Sequence, residues 1–117
     1  MEIVTIQSII INYLNDKAPV PAFTETPEKA PEQYILIEKT GSGKDNHLPN
    51  AVIAFQSYAA SDYEADVLNE QLKFVVDQMA KDLSVIRYVN LNSDYDFTDT
   101  TKKEHRYQAV YEIGYYD

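Results

Sequence analysis

The residues of this chain that could do chemistry are few and scattered. The run Thr40-Gly41-Ser42-Gly43-Lys44-Asp45-Asn46-His47 invites comparison with a phosphate loop. That loop needs the wider G-x-x-x-x-G-K-[ST] pattern running from a strand into a helix, so that helix-start amides face the phosphates and a hydroxyl holds magnesium. Here Lys44 is followed by Asp45, and the next element reads as a strand. The residues predict a mobile, solvated hairpin tip over Gly41, Ser42, Gly43, Lys44, Asp45, Asn46 and His47, a docking loop rather than a nucleotide cradle. A small ligand- or nucleotide-binding protein using the 40–48 loop is the alternative from a different class.

The other candidates fare no better. Asp94, Asp96 and Asp99 sit close together, but a calcium loop wants acids in regular alternation, a glycine at its sixth position and a terminal Glu, and this stretch has no glycine. His47 and His105 adjoin no Ser in a recognisable motif, and zero cysteines remove thiolate catalysis, Cys-based zinc sites and a disulfide framework together. An enzyme needs a nucleophile with a base, paired carboxylates in a pocket or a metal cluster. We expect no catalytic, metal or cofactor residues, and a chain that is not an enzyme.

The elements that must position these residues are organised around Ser61 to Leu83. Ser61 followed by Glu64 reads as a capping box, and early acids with a late Lys81 suit the helix dipole. Ala65, Leu68, Leu72, Val75, Val76, Met79 and Leu83 fall in steps of three and four, the stripe of one long core-facing helix. Met79 belongs to that packing rather than to a ligand site. Tyr63, Val67 and Phe74 project about 150° away from the stripe. They are either scattered surface apolars or a face that packs against another subunit. Asn69, Lys73 and Asp77 fall on a separate, wetter strip.

The remaining elements follow in order. Ile3 to Leu14 reads as a shorter N-terminal helix, with a strand as the alternative because Ile9-Ile10-Ile11 is a β-branched run. Pro19, Pro21, Pro27 and Pro31 leave room only for a short edge strand at Val20 to Glu25. Tyr34 to Lys39, Ala51 to Ala59, Val85 to Asn92 and His105 to Tyr116 alternate as strands. In the last, Tyr107, Ala109, Tyr111, Ile113 and Tyr115 point one way, and Gly114 marks a bulge or close backbone approach. Tyr95 and Phe97 alternate with acids, as in an extended strand or arm with one sticky side. The fold class is α+β: an antiparallel or mixed β-sheet packed against one long helix, in the order α-β-β-β-α-β-β, with every connection short enough for antiparallel pairing apart from the crossover through the helix.

At 117 residues, 44% apolar and 25% charged, the chain is expected to form a single domain over 1–117. No apolar run approaches a membrane span, and the N-terminus lacks a basic region and a small-residue cleavage site, so a soluble, unprocessed chain is expected. A net charge of −9, from 19 acids and 10 bases, opposes phosphate-backbone binding. Ten tyrosines with no tryptophan favour interfaces, where a ring is buried while its hydroxyl stays paired.

Leu91 to Val110 and the stretch around Glu38 to His47 are the specific parts of a resemblance that runs the length of the chain. The stretch VNLNSDYDFTDTTKKEHRYQAVYEIGYY, preceded by YILIEKTGSGKDNHL and AVIAFQSYAASDYEADVLNEQLK, resembles the small tail proteins of prophages and long-tailed phages of Gram-positive hosts. In element order these are similar to lambda-type tail terminator, or tail-completion, proteins. The resemblance implies a structural role in the virion, at the head–tail junction, after synthesis in the bacterial host cytoplasm. Its implied partners are the chain itself in a ring, usually a hexamer, the tail tube protein and a head-completion or connector protein. It offers no catalytic residues to transfer, no cofactor and no specific nucleic-acid binding, though DNA would pass through the lumen. Another head–tail connector or head-completion role is the nearer alternative. The candidate subunit interface is Tyr63, Val67 and Phe74 on one flank, with Tyr95 and Phe97 on another.

Overall fold

The computed structural model describes residues 3–116; Met1, Glu2 and Asp117, the ends of the single-domain reading, lie outside the described residues. Five strands, β1 (Ala22–Phe23), β2 (Tyr34–Asp45), β3 (Leu48–Ala59), β4 (Ile86–Asp96) and β5 (His105–Tyr115), form one sheet in the order β1-β2-β3-β5-β4. β1 runs parallel to β2 and the other neighbours are antiparallel. With α1 (Ile6–Lys17), α2 (Asp62–Asp77) and α3 (Met79–Asp82), the chain is the α+β domain that its patterning predicts.

One face of the sheet meets the helices. Ile35 and Ile37 of β2, Ala51, Ile53 and Phe55 of β3, and Ala109, Tyr111 and Ile113 of β5 are buried in one cluster with Ile10 and Leu14 of α1 and Leu68, Leu72 and Val76 of α2. Burying each large aliphatic side chain contributes roughly 1.5–3 kcal/mol, enough to hold the layers together. Phe55 and Tyr111 meet edge to face at 5.6 Å beneath the helix. Met79 is fully buried in this core, as its place in the stripe requires.

The long helix breaks near its end. Ser61 Oγ accepts the Glu64 N–H at 3.2 Å, and sixteen residues of α2 follow. At Gln78 the ladder shortens, with Gln78 N–H donating to Val75 O at 3.1 Å, an i→i−3 step that divides α2 from the single turn of α3. The tighter turn seats Met79 in the core and brings Asp82 to the Tyr13 hydroxyl at 2.6 Å.

α1 resolves the helix-or-strand question in favour of helix, shifted to Ile6–Lys17. Its cap is Thr5, whose Oγ1 accepts from Ser8 N at 3.1 Å while Ser8 Oγ accepts from Thr5 N at 3.2 Å. That reciprocal cap, with burial of Ile6, Ile10, Tyr13 and Leu14, outweighs the weak propensity of the isoleucine run. Ile3 falls before the cap and is exposed, not part of the buried stripe.

Two connections differ from expectation. The edge strand is only Ala22–Phe23 and runs parallel to β2, because the Pro-rich stretch 24–33 is long enough to carry the chain back before it pairs. Asn15 fastens this strand to α1, accepting from Ala22 N at 2.9 Å and donating to Ala22 O at 3.2 Å. The long polar loop expected between β2 and β3 is not a loop. Gly41 to Asp45 are paired with Val52 to Leu48, leaving a two-residue turn at Asn46 and His47 with φ of 52° and 67°. Both central residues in the left-handed region make the kind of turn whose twist matches a hairpin, so the strands continue to their ends. Among the described residues, no helix is long and apolar enough to cross a membrane.

Candidate assembly surfaces

On α2, the side away from the core carries Tyr63 at 74% exposure, Val67 at 38% and Phe74 at 70%. Helical spacing brings the three into one line on the outer layer. Beside it, Gln33 from the approach to β2 joins Tyr63, Glu64, Val67 and Gln71 around a shallow groove of about 240 Å³.

The opposite layer of the molecule is the helix-free face of the sheet. Alternation places Gln56 and Tyr58 of β3, Arg106 and Gln108 of β5 and Tyr95 of β4 on it, in register across three strands. Their polar ends form a continuous chain. Arg106 Nη1 donates to Tyr58 Oη at 3.0 Å, Tyr58 Oη donates to Gln56 Oε1 at 3.1 Å, Gln56 Nε2 donates to Gln108 Oε1 at 2.8 Å, and Gln108 Nε2 donates to Tyr95 Oη. Tyr34 stacks on Tyr58 at 4.6 Å. Gln56, Tyr58 and Gln108 are buried although no helix covers them, so their hydrogen bonds replace those lost to water.

This network positions the second aromatic group. Arg106 Nε donates to Phe97 O at 2.7 Å and its guanidinium lies 4.5 Å from the Phe97 ring centre. Tyr95 and Phe97 meet edge to face at 5.8 Å, with exposures of 41% and 39%. The expected sticky arm is thus the end of β4 and its continuation, held against β5.

A third group, read from sequence as a wet strip, joins α2 to β4. Asn69 is buried and its Nδ2 donates to Asp94 Oδ1 at 2.7 Å, while Lys73 Nζ pairs with Asp94 Oδ2 and with Glu70 Oε1 at 2.9 Å. Partial burial pushes the Lys73 ammonium down, but hydrogen bonds to the Asp94 and Glu70 carboxylates outweigh it and leave its pKa above that of an isolated lysine. Asp77, from the same strip, accepts the hydroxyl of the buried Tyr111 at 3.1 Å. Helical projection alone cannot find this group, because Asp94 lies 21 residues beyond Lys73 and 25 beyond Asn69.

Gly41, Ser42, Gly43, Lys44, Asp45, Asn46 and His47 form the far end of the β2–β3 hairpin. They lie away from both aromatic surfaces: the turn at Asn46 and His47 leads into Leu48 at the start of β3, whereas Ala59 at its other end pairs with His105 next to Phe97, about 35 Å away along the strand. The segment enters a turn and a strand rather than a helix, so it offers no cluster of helix-start amides to a phosphate. Among the described residues, no group of three or more His, Asp or Glu is placed to hold a metal ion. No family model matches the chain, and no curated protein matches its sequence.

Proposed function

We propose that this chain is a structural virion protein of the tail terminator kind, which assembles as a ring, six copies by the resemblance, that caps a phage tail tube and joins it to the head connector. One observation carries the reading. Large apolar side chains stand in water on both layers of the subunit, Tyr63, Val67 and Phe74 outside α2 and Tyr95 and Phe97 on the helix-free side of the sheet. Two different apolar patches on opposite flanks suit a head-to-tail contact, the kind that closes into a ring when the rotation between neighbours allows.

In this role the chain catalyses nothing, and its partners are its own copies, the tail tube protein and a head-completion or connector protein. A net charge of −9 lets DNA pass a lumen without adhering, because like charges repel within a Debye length of about 8–10 Å. The protein is made in the bacterial host cytoplasm and ends at the head–tail junction. Sedimentation of the purified chain is expected to show mass rising with concentration to a closed ring. Particles assembled without it are expected to carry overlong or headless tails. A chain that stays monomeric at high concentration and beside polymerised tail tubes overturns the proposal, and filled heads without tails place it at the connector instead.

A further inference from the structure

The two apolar patches are opposite in charge at their rims. α2 holds five acids against Lys73, which pairs with Asp94 and with one of those five, Glu70. Of the acids, Asp66 and Glu70 are exposed and project within about 80° of the Tyr63, Val67 and Phe74 line at 100° per residue. From Phe97 to Arg106 three bases stand against two acids in a chain that is otherwise strongly acidic, while Asp94 and Asp96, on either side of Tyr95, alternate to the helix-bearing face, where Asp94 is held by Asn69 and Lys73. Within the stretch, Asp99 faces into its own turn, accepting the N–H groups of Thr101 and Lys102 at 3.0 and 3.1 Å. Lys102 and Lys103 are exposed at the tip, and Arg106 lies over Phe97.

Their heights also agree. α2 begins where β3 ends, and Ala59 at that end pairs with His105 at the start of β5. The first turns of α2 and the β4–β5 tip therefore share one end of the molecule while facing away from opposite layers of it. Copies related by rotation alone meet at equal height, so a patch and its complement must share a level.

We infer that the outer line of α2 in one copy receives the β4–β5 hairpin of the next, with Phe97 seated at the Tyr63 and Val67 end of that line and with Lys102 and Lys103 facing Asp66 and Glu70. This pairing rests on the ring reading and specifies its contact. The apolar contact supplies the adhesion, and the rim charges fix which patch meets which. An α2 line meeting a second α2 line would set acid against acid, so the charges also disfavour a closed two-fold dimer.

Charge exchange tests it. The double variant K102E/K103E and the double variant D66K/E70K are each expected to raise the concentration at half-assembly about tenfold or more, and the two combined to return within about threefold of the unsubstituted chain. Assembly of the unsubstituted chain is expected to weaken as salt rises from about 0.05 to about 0.5 M. All four residues are exposed, and circular dichroism checks that each variant keeps its fold. If the unsubstituted chain assembles but the combined variant does not recover, or neither double variant nor salt alters assembly, the pairing is wrong and the ring stands on another contact. If the unsubstituted chain remains monomeric alone and beside tail tubes, the ring reading fails and takes the pairing with it.

Discussion

At the scale of single residues, Gly114 makes the sharpest demand. A Cβ built there would lie 2.1 Å from Tyr88 Cε2, so the Tyr88 ring covers the glycine across the β4–β5 ladder and reaches Glu112 with its hydroxyl. Of the bulge or close backbone approach expected at this glycine, the ladder does shift register beside it, between Ile86 and Tyr88, but what comes close is a side-chain ring and not backbone. Gly114→Ala is expected to expel the ring and lower stability by roughly 1–3 kcal/mol in denaturant titrations. Gly41→Ala, where nothing lies within 4 Å, is expected to stay within about 0.5 kcal/mol of the parent. Tyr13 makes a pH-dependent demand. Burial, then its bond to Asp82, pushes its phenol up from 10.0 to about 12. The folded state thus prefers the neutral form, and that stabilisation is whole below pH 10.0 and lost as pH rises towards about 12. Tyr111 is raised in the same direction by burial and then by Asp77. Unfolding midpoints measured through this window are expected to fall with pH, and less steeply in Tyr13→Phe than in the parent.

Between elements, the contact that decides the shape of the β4–β5 arm is the clamp of Asn69 and Lys73 on Asp94. β4 is an edge strand, and from Leu91 to Asp96 its residues are exposed while its ladder to β5 shifts register between Leu91 and Ser93. The clamp ties that outer half to α2, beyond the reach of the main core. Asp94→Ala leaves the buried Asn69 amide without its acceptor and the partly buried Lys73 ammonium with Glu70 alone, at a cost of about 1–3 kcal/mol. Amide hydrogen exchange is expected to quicken from Leu91 to Asp96 and to stay unchanged in the β2–β3 hairpin. Equal protection in both versions would mean that the ladder alone holds the arm. The hairpin at the other end illustrates how elements escape linear reading. Its glycines and polar residues look like loop composition, but Asn46 and His47 accept left-handed backbone and close the turn in two residues. Composition records that a segment is wet, not whether its backbone is paired.

For the whole molecule, the proposed assembly depends on surfaces that the core does not use. Exchanging Tyr63, Val67 and Phe74 together for glutamine is expected to abolish ring formation while the monomer melts close to its parent, since these side chains lie outside the core cluster. Rings that persist in sedimentation would move the contact off α2. Contiguous residues were enough to determine the α+β class, the core stripe of α2, the alternation of β5 and the exposure of Tyr63, Val67 and Phe74, because a period of 3.6 or 2 is written into neighbouring positions. Only the tertiary structure decided that Gln56, Gln108, Tyr95 and Arg106 form one network, that Asn69 and Lys73 meet Asp94, and that the Phe97 end of the sheet lies level with the start of α2. Those relations join residues from different elements, and strand register and sheet order, which no local pattern encodes, are what bring them together.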